Sequence, residues 1–278
     1  MLHDLRRRAL DLLPGPLAGR LRGWKLRRLI RTFTPQVVTH VYGGGALQVY
    51  LSDPLARGWY DRDWDELPEI AALRRTRLGP GAQVFDAGAH QGVVAMMLAR
   101  EVGPSGRVVA FEPNPHNAAA ARKNRDLNGM RQLEVVEAAV SDRQGTVVFN
   151  EGLNGQLEEG DGKYGRLVVR CTTLDAEAGR DGVPDVVFVD VEGAECRVLA
   201  GASRALSAGA DFFVEVHVGC GLEHLGGSAA QVLEYFPEER FTRLGRAENE
   251  TAFRPLAEDD PLFQDRFFLL AQARDGAI

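Results

Sequence analysis

Beyond residue 32 the chain alternates between short apolar runs and segments whose apolar positions recur at helical spacing. The apolar runs, bounded by turn residues, are QVFDA, RVVAF, LEVVEAAV, DVVFVDV, DFFVEVH and RFFLLAQA. Helical spacing covers residues 65–78, 93–102, 114–127, 195–206 and 229–236. Strands that are apolar on both faces and alternate with helices are typical of a parallel sheet covered by helices on each side. The pattern predicts an α/β fold with a doubly wound, mostly parallel sheet.

The first 64 residues have a different pattern. Residues 37–42 and 46–51, separated by glycines, predict a β-hairpin. Residues 1–31 hold nine Arg or Lys and two Asp, and apolar residues recur among them at roughly helical spacing. Such a helix could lie on an anionic membrane or on a partner. It could also cap the domain's own core, and we favour this second interpretation because Pro14, Gly15 and Pro16 interrupt the apolar stripe. We divide the chain into an extension, residues 1–64, and a main domain, residues 65–278.

Composition narrows the class of protein. The 278 residues are 45% hydrophobic and 26% charged, which suits one large domain with a full core. The net charge is −6 although the first 31 residues are basic, so the remainder is strongly acidic. An acidic body argues against a nucleic-acid substrate, which needs a basic binding face. No secretory signal or spanning segment is evident, and the three cysteines lack C-x-x-C spacing, so we expect a cytoplasmic protein with reduced thiols.

The ends of the first two core strands carry carboxylates. VFDAGAHQG places Asp86 before Gly88 and Gly92, which is G-x-x-x-G rather than the G-x-G-x-x-G of a dinucleotide site. A carboxylate beside a pyrophosphate would be repelled, whereas beside an ammonium group it is attracted. Glu112 ends the next strand, where it could accept hydrogen bonds from both hydroxyls of a ribose. A ligand that joins an amino acid to a nucleoside satisfies both positions, and S-adenosylmethionine is such a ligand.

The chain resembles the FkbM-type S-adenosylmethionine-dependent methyltransferases over roughly residues 47–218. The resemblance rests on VFDAGAHQG, on VVAFEPNPHN with DLNG, on VVEAAVSD, on RLVVRCTTLDA, and above all on VVFVDVEGAECRVLAGA followed by FFVEVH. It implies a Rossmann-like class I methyltransferase with seven strands, the last antiparallel, and methyl transfer to a hydroxyl of a sugar, glycolipid or polyketide-type product. The sequence departs from the family in having His90 where Asn is usual and in lacking a lysine just before Asp190. We interpret His90 as a tolerated turn residue.

The candidate residues fall into two groups. The cofactor-binding candidates are Asp86, Gly88, Ala89, His90, Gly92, Glu112, Pro113, Ala139 and Asp190. Ala139 follows the third strand, where a small side chain leaves room for the adenine ring. The glycine-rich residues 150–164 are interpreted as a loop over the pocket.

The catalytic candidates close strands four and five. Asp190 and Glu192 lie two positions apart, as do Glu215 and His217, so on extended backbone each pair faces one side. One interpretation makes His217 or a carboxylate the general base. In a second, Asp190, Glu192 and His217 hold a divalent metal; in a third they only anchor the loop and the cofactor. We favour the first, and because no H-x-H or C-x-x-C pattern supports a metal, no metal ligand is assigned.

The function predicted is therefore S-adenosylmethionine-dependent O-methyl transfer to a small-molecule or glycan hydroxyl. Two alternatives remain at this point. The chain could bind the cofactor without catalysis, or it could be a nucleotide-sugar or NAD-dependent Rossmann enzyme. The acceptor is not predicted, although the basic N-terminal segment gives a faint indication of a lipid-linked one.

Overall fold

A computed structural model describes residues 15–150, 166–257 and 259–274. Its strands are β1 (Gln36–Tyr42), β2 (Gly45–Leu51), β3 (Gln83–Ala87), β4 (Arg107–Phe111), β5 (Leu133–Val136), β6 (Ala139–Val140), β7 (Gly145–Asn150), β8 (Arg166–Thr172), β9 (Val186–Val189), β10 (Asp211–Val216), β11 (Phe241–Ala247), β12 (Arg254–Pro255) and β13 (Phe267–Ala273). Its helices are α1 (Gly15–Thr32), α2 (Pro54–Tyr60), α3 (Pro68–Leu73), α4 (Val93–Val102), α5 (Pro115–Leu127), α6 (Leu174–Asp181), α7 (Glu195–Ala200), α8 (Ser203–Ala208) and α9 (Ala229–Glu234), with 3-10 turns at Glu223–Leu225 and Pro261–Gln264.

The main sheet has the strand order β12-β11-β13-β10-β9-β3-β4-β5. Strands β5, β4, β3, β9 and β10 are parallel to one another, and β13 runs antiparallel between β10 and β11. The predicted doubly wound sheet with an antiparallel last strand is confirmed. It has eight strands where seven were expected, because the two-residue β12 pairs with β11 at the edge. Strand order reverses at β3, which is where a sheet of this kind opens a crevice at its carboxyl edge.

Packing on both faces of the main sheet explains why the sequences of these strands are continuous apolar runs. Successive residues of one strand belong to two different clusters: Phe85 packs in one and Val84 in the other, and the same holds for Phe212 and Phe213. Because side chains alternate across a strand, the two clusters lie on opposite faces of the sheet. Both faces are therefore buried, as the apolar runs predicted.

Three strands form a second sheet with the order β6-β8-β7. LEVVEAAV was expected to be one strand, and this is wrong: β5 ends at Val136, and β6 pairs instead with Cys171 and Thr172 of β8. The chain thus leaves the main sheet just before Ala138, Ala139 and Val140, which line the cavity described below. Strands β7 and β11 were not predicted. The sequence of β11 carries two arginines and a glycine, and its pairing with β13 and β12 defines it as a strand.

Two predicted helices are shorter than expected. The helical segment 65–78 is a helix only over α3, which begins at Pro68, where the ring fixes a helical φ. The segment 195–206 is divided into α7 and α8 at Gly201. A Cβ built on Gly201 would lie 2.3 Å from the carbonyl oxygen of Ser141, so the close approach of this loop interrupts the helix.

The N-terminal elements differ in how they pack. The predicted hairpin is confirmed as β1 and β2, and Tyr42, Leu47 and Val49 are buried in the same cluster as Val84. Helix α1 leaves its apolar residues Leu21, Trp24 and Leu29 exposed, with 52% of Trp24 accessible, so its stripe caps the core only in part. None of the helices in the described ranges combines the length and hydropathy needed to cross a membrane. The predicted pocket loop, residues 150–164, falls almost entirely outside the described residues.

Candidate active site

A cavity of about 450 Å³ opens at the carboxyl edge of the parallel strands, beside the point where strand order reverses. It is lined by acidic residues from four neighbouring strand ends, namely Asp86, Glu112, Asp190, Glu192 and Glu215. The structure therefore brings the predicted cofactor-binding and catalytic candidates to one cleft. His217 lies just behind this acidic lining, 1% exposed.

Asp86 is the last but one residue of β3, and it is 4% exposed. Its Oδ2 atom is buried and has no hydrogen-bond partner among the described residues. Burial raises the pKa of this carboxyl to about 7, because desolvation disfavours the charged form. A buried carboxylate of this kind is stabilised by a ligand that brings a hydrogen-bond donor or a positive charge.

Gly88 joins the two halves of the cleft. Its φ is 100°, and a Cβ built there would lie 1.7 Å from the carbonyl oxygen of Asp190. The loop after β3 therefore crosses directly over the loop after β9, and only glycine fits at the crossing. The same absence of a side chain leaves backbone exposed to the cavity, which Gly88 and Ala89 both line.

His90 has a φ of 49°, as expected for a turn residue in a position often filled by Asn. Its Nδ1 atom is hydrogen-bonded to the Tyr60 hydroxyl at 2.8 Å, and its ring lies 5.1 Å from that of Trp59. Gly92, with a φ of 80°, is the N-cap of α4. The aromatic residues before α3 thus hold the glycine turn in place as well as lining the cavity.

Glu112 follows β4 and is 5% exposed. Its Oε1 atom accepts a hydrogen bond of 2.7 Å from the backbone N–H of Asn114. Burial raises the pKa of Glu112 to about 8, although the backbone N–H groups of Asn114 and His90 and the side chain of Asn117 oppose this shift. Pro113, Ala138, Ala139 and Val140 also line the cavity, where the sequence placed the nucleoside. Together with the orphaned oxygen of Asp86 and the cradle at Gly88, these residues fit S-adenosylmethionine.

His217 is the centre of the second group. Its Nδ1 atom lies 2.7 Å from Oε1 of Glu195, which also accepts from the backbone N–H of Gly193. Its Nε2 atom faces Glu215, Glu192 and Asp190 at 3.5, 3.6 and 3.8 Å. Burial lowers the pKa of His217, but the hydrogen bond and charge of Glu195 and the carboxylates of Asp190 and Glu192 outweigh it and raise the value to about 9.

Asp190 and Glu192 reach His217 by a route that the sequence did not indicate. We expected both on extended backbone, and this is wrong, since β9 ends at Val189 and Glu192 has a φ of 54°. The left-handed turn at Glu192 brings its side chain back towards that of Asp190. Desolvation and the negative charge of Glu215 raise the pKa of Asp190, while His217 lowers it.

Two residues of this group were missed from the sequence. Glu195, fully buried at the start of α7, holds Nδ1 of His217. Arg266 lies next to β13 and its Nη1 atom is 3.1 Å from Oε1 of Glu215. The third acid of D-V-E-G-x-E could have indicated Glu195, because it falls at a helix N-terminus favourable for a carboxylate. Nothing local indicated Arg266, which reaches the site only through the pairing of β13 with β10.

The family model of the methyltransferase FkbM domain matches residues 86–242, more than half of the chain. The 2-O-methyltransferase NoeI of Sinorhizobium fredii is 28% identical over 150 residues, which are 46% of this chain and 60% of NoeI. The probable cobalt-precorrin-6B C(15)-methyltransferase (decarboxylating) of Sulfolobus acidocaldarius is 34% identical over 68 residues, 24% of this chain and 35% of that protein. The chain thus spans less than two thirds of the length of either relative.

A solved structure of methyltransferase FkbM from Methylobacillus flagellatus is 16% identical and has a TM-score of 0.44, covering 68% of this chain and 43% of that one. The family match begins at Asp86 in the first half of the cleft and extends past His217 in the second. The chain belongs to the FkbM methyltransferase family.

Proposed function

We propose that this protein transfers a methyl group from S-adenosylmethionine to a hydroxyl oxygen of a sugar, glycolipid or polyketide-type acceptor. The observation that carries the proposal is a single cleft with two differently built acidic ends. At one end Asp86 and Glu112 are buried, and within the described part of the chain no side-chain cation pairs with them; at the other end the carboxylates surround His217. The two ends meet at Gly88.

The first end suits the donor. The orphaned Oδ2 of Asp86 is positioned to accept from an ammonium group, and Glu112 is positioned to accept from a ribose diol. When bound, S-adenosylmethionine supplies a methyl group on a positively charged sulfur, which needs no further activation. Asp86 and Glu112 therefore have the task of holding and orienting the donor.

The second end suits the acceptor hydroxyl. As the oxygen gains the methyl group it loses its proton, which needs a base at the cavity surface. Asp190 and Glu192 line the cavity, whereas His217 lies behind them with Nδ1 engaged by Glu195. We therefore assign proton removal to the carboxylates that line the cavity at this end, Asp190, Glu192 and Glu215, with His217 as the residue that positions them. The products are the neutral ether, the neutral thioether left when the donor has lost its methyl group, and one protonated carboxyl, so charge and atoms balance.

Other functions fit less well. A pyrophosphate-bearing cofactor would meet the carboxylate of Asp86 in a buried setting, where like charges repel strongly. A protein that had lost catalysis would have no need to keep Asp190, Glu192, Glu215 and His217 together. The choice of a hydroxyl acceptor is supported by the family and by the similarity to NoeI, which is a 2-O-methyltransferase.

Calorimetry with S-adenosylmethionine and its demethylated product, beside NAD, tests the donor. We expect heat of binding with the first two and none with NAD. A screen of sugars, glycolipids and polyketide alcohols with labelled methyl donor then tests the acceptor. Glu192→Gln should abolish most of the labelling, and Glu137→Gln, an exposed carboxylate paired with Arg122, should leave it unchanged. Tight NAD binding without donor binding would overturn the proposal.

We also propose that α1 rests on an anionic lipid surface. Leu21, Trp24 and Arg28 share one face of the helix, the Trp24 ring is half exposed, and the Arg28 guanidinium lies 5.6 Å from its centroid. Six basic and no acidic residues occupy α1. An apolar and basic face of this kind suits the headgroup boundary of an anionic bilayer.

Vesicle sedimentation tests this contact. The protein should sediment with phosphatidylglycerol-containing vesicles at low salt and remain in solution with phosphatidylcholine alone. Trp24→Ser should reduce the bound fraction, whereas Val168→Ser, which changes an even more exposed apolar residue on β8, should not. Equal binding by both variants, or binding only to an acidic protein and not to vesicles, would refute a lipid surface.

A further inference from the structure

The gap between Nε2 of His217 and the carboxylates that face it is wider than a hydrogen bond. We assign a proton to Nδ1 of His217, because its partner Oε1 of Glu195 is a carboxylate oxygen that also accepts from the Gly193 N–H. Nε2 is buried and has no hydrogen-bond partner among the described residues. It nevertheless faces three carboxylates, at distances of 3.5, 3.6 and 3.8 Å.

A proton alone bridges this gap poorly. An N–H···O bond spans about 2.7–3.2 Å, and all three distances are longer. A metal ion about 2.1 Å from each donor separates two donors by about 3.0 Å at 90° and about 3.6 Å at 120°. The donor atoms of Asp190, Glu192 and His217 all lie within 4.8 Å of one another, so small movements close them around one ion.

The chemistry of these donors points the same way. One imidazole nitrogen and two carboxylate oxygens suit a divalent cation such as Mn²⁺. The Glu195 carboxylate behind Nδ1 fixes the ring with Nε2 directed at the gap, which is the usual support of a metal-binding histidine. Glu215 is held separately by Arg266, so the fourth acid does not need the ion for charge compensation.

We propose that Asp190, Glu192 and Nε2 of His217 form a binding site for one divalent cation at the acceptor end of the cleft. Asp190 and Glu192 line the cavity, so the remaining coordination positions face the space where the acceptor enters. A hydroxyl bound there becomes more acidic and is held in place, and Glu215, which lines the cavity outside the donor set of the ion, takes its proton. This role in the reaction rests on the proposed function, while the site itself rests on the geometry alone.

Titration of the full-length protein with Mn²⁺, followed by the loss of the free-ion signal in electron paramagnetic resonance, tests the site. We expect one Mn²⁺ per chain. Asp190→Asn and Glu192→Gln should each weaken binding at least about tenfold, and Glu195→Gln should weaken it by about 10–100-fold by releasing the imidazole. Glu137→Gln is the matched control and should bind as the unchanged protein does.

A spectroscopic readout separates ligation from a structural role. Electron spin echo modulation of bound Mn²⁺ should contain the coupling of one imidazole nitrogen, and His217→Ala should remove it. If His217→Ala does not fold, the test rests on two other measurements: the nitrogen coupling in the unchanged protein, and the Mn²⁺ affinities of Asp190→Asn and Glu192→Gln. Absence of Mn²⁺ binding, absence of nitrogen coupling, or equal affinity in Glu192→Gln and Glu137→Gln would overturn the site.

The outcomes also distinguish this proposal from the proposed function. Mn²⁺ binding with no affinity for S-adenosylmethionine would leave the cation site and overturn methyl transfer. Donor binding and labelling of an acceptor that persist in a chelator, with no Mn²⁺ bound, would leave methyl transfer and overturn the cation site.

Discussion

Both ends of the cleft are acidic, but the carboxylates at the two ends have different surroundings. At the donor end Asp86 and Glu112 are buried at the ends of two different strands. Desolvation raises the pKa of Asp86 to about 7 and that of Glu112 to about 8. At the acceptor end Asp190, Glu192 and Glu215 lie close together around Nε2 of His217, and Arg266 supplies a positive partner to Glu215.

The two sets of surroundings indicate which kind of ligand each end of the cleft requires. At the donor end no side-chain cation among the described residues offsets the charge of Asp86, so a ligand is best placed to compensate it. The acceptor end compensates its charge through residues of the chain, and needs a ligand only to fill the gap beside Nε2. Donor affinity should therefore depend on single carboxylates, whereas turnover should depend on the cluster as a unit.

The largest effect is expected where the ends meet. Gly88→Ala places a Cβ against the Asp190 carbonyl and imposes strain at a φ of 100°, so it should destabilise the fold by more than about 3 kcal/mol. Gly129→Ala is the matched control, since Gly129 also has a positive φ but nothing lies within 4 Å of its Cβ position. It should cost about 1 kcal/mol. Urea unfolding measures both, and equal losses would contradict the close approach.

Exchanging one carboxylate at each end should separate the two tasks. Glu192→Gln should lower turnover by about 100-fold or more while donor affinity is kept, because it removes a proton acceptor from the cluster. Asp86→Asn should weaken donor binding by about 10–100-fold, the worth of a charge-assisted hydrogen bond. Calorimetry and a labelling assay give the two quantities. Loss of donor affinity in Glu192→Gln alone would reverse our assignment of the two ends.

Donor binding should tighten as pH rises from about 6 to about 8. The ionised forms of Asp86 and Glu112 bind the donor, and raised pKa values keep them partly protonated below about 7 and about 8. Binding should release protons, which calorimetry in buffers of different ionisation enthalpy detects. A donor affinity independent of pH in this range would mean that these carboxyls are already charged.

The stability of the ligand-free protein should change with pH in the opposite sense. Both folded pKa values lie above the unfolded values of 3.8 and 4.5, so the folded state binds more protons between about pH 4 and about pH 8. The free energy of unfolding should therefore fall as pH rises through this window. In Asp86→Asn the fall should be smaller, and an unchanged slope in urea unfolding would argue against a raised pKa at Asp86.

The smallest effect is expected at the outer edge of the acceptor end. Glu248 pairs with Arg266 at 2.6 Å but its side chain is 69% exposed. Glu248→Gln should change stability by less than about 0.5 kcal/mol, because solvent screens an exposed ion pair. Glu215→Gln, the matched change on the buried side of Arg266, should have a larger effect on turnover. Thermal unfolding and the labelling assay compare the two variants.

Much of the donor end could be read from the sequence because its signals are local. Asp86, Gly88 and Glu112 lie at or just after the ends of two short apolar runs, and such runs bounded by turn residues are a local strand signal. The acceptor end could be read only in part. Asp190, Glu192, Glu215 and His217 were named together, but the turn that directs Glu192 and the arginine that holds Glu215 depend on contacts distant along the chain.

Three features could be predicted from the amino-acid sequence alone: the alternation of strands and helices, the burial of both faces of the sheet, and the acids at the strand ends. They are predictable because periodicity and turn residues act over a few positions. The tertiary structure decided that β6 leaves the main sheet, that Gly201 divides a helix, and that Glu195 holds His217. Each of these depends on the approach of segments tens of residues apart, and packing between them overrides local preference.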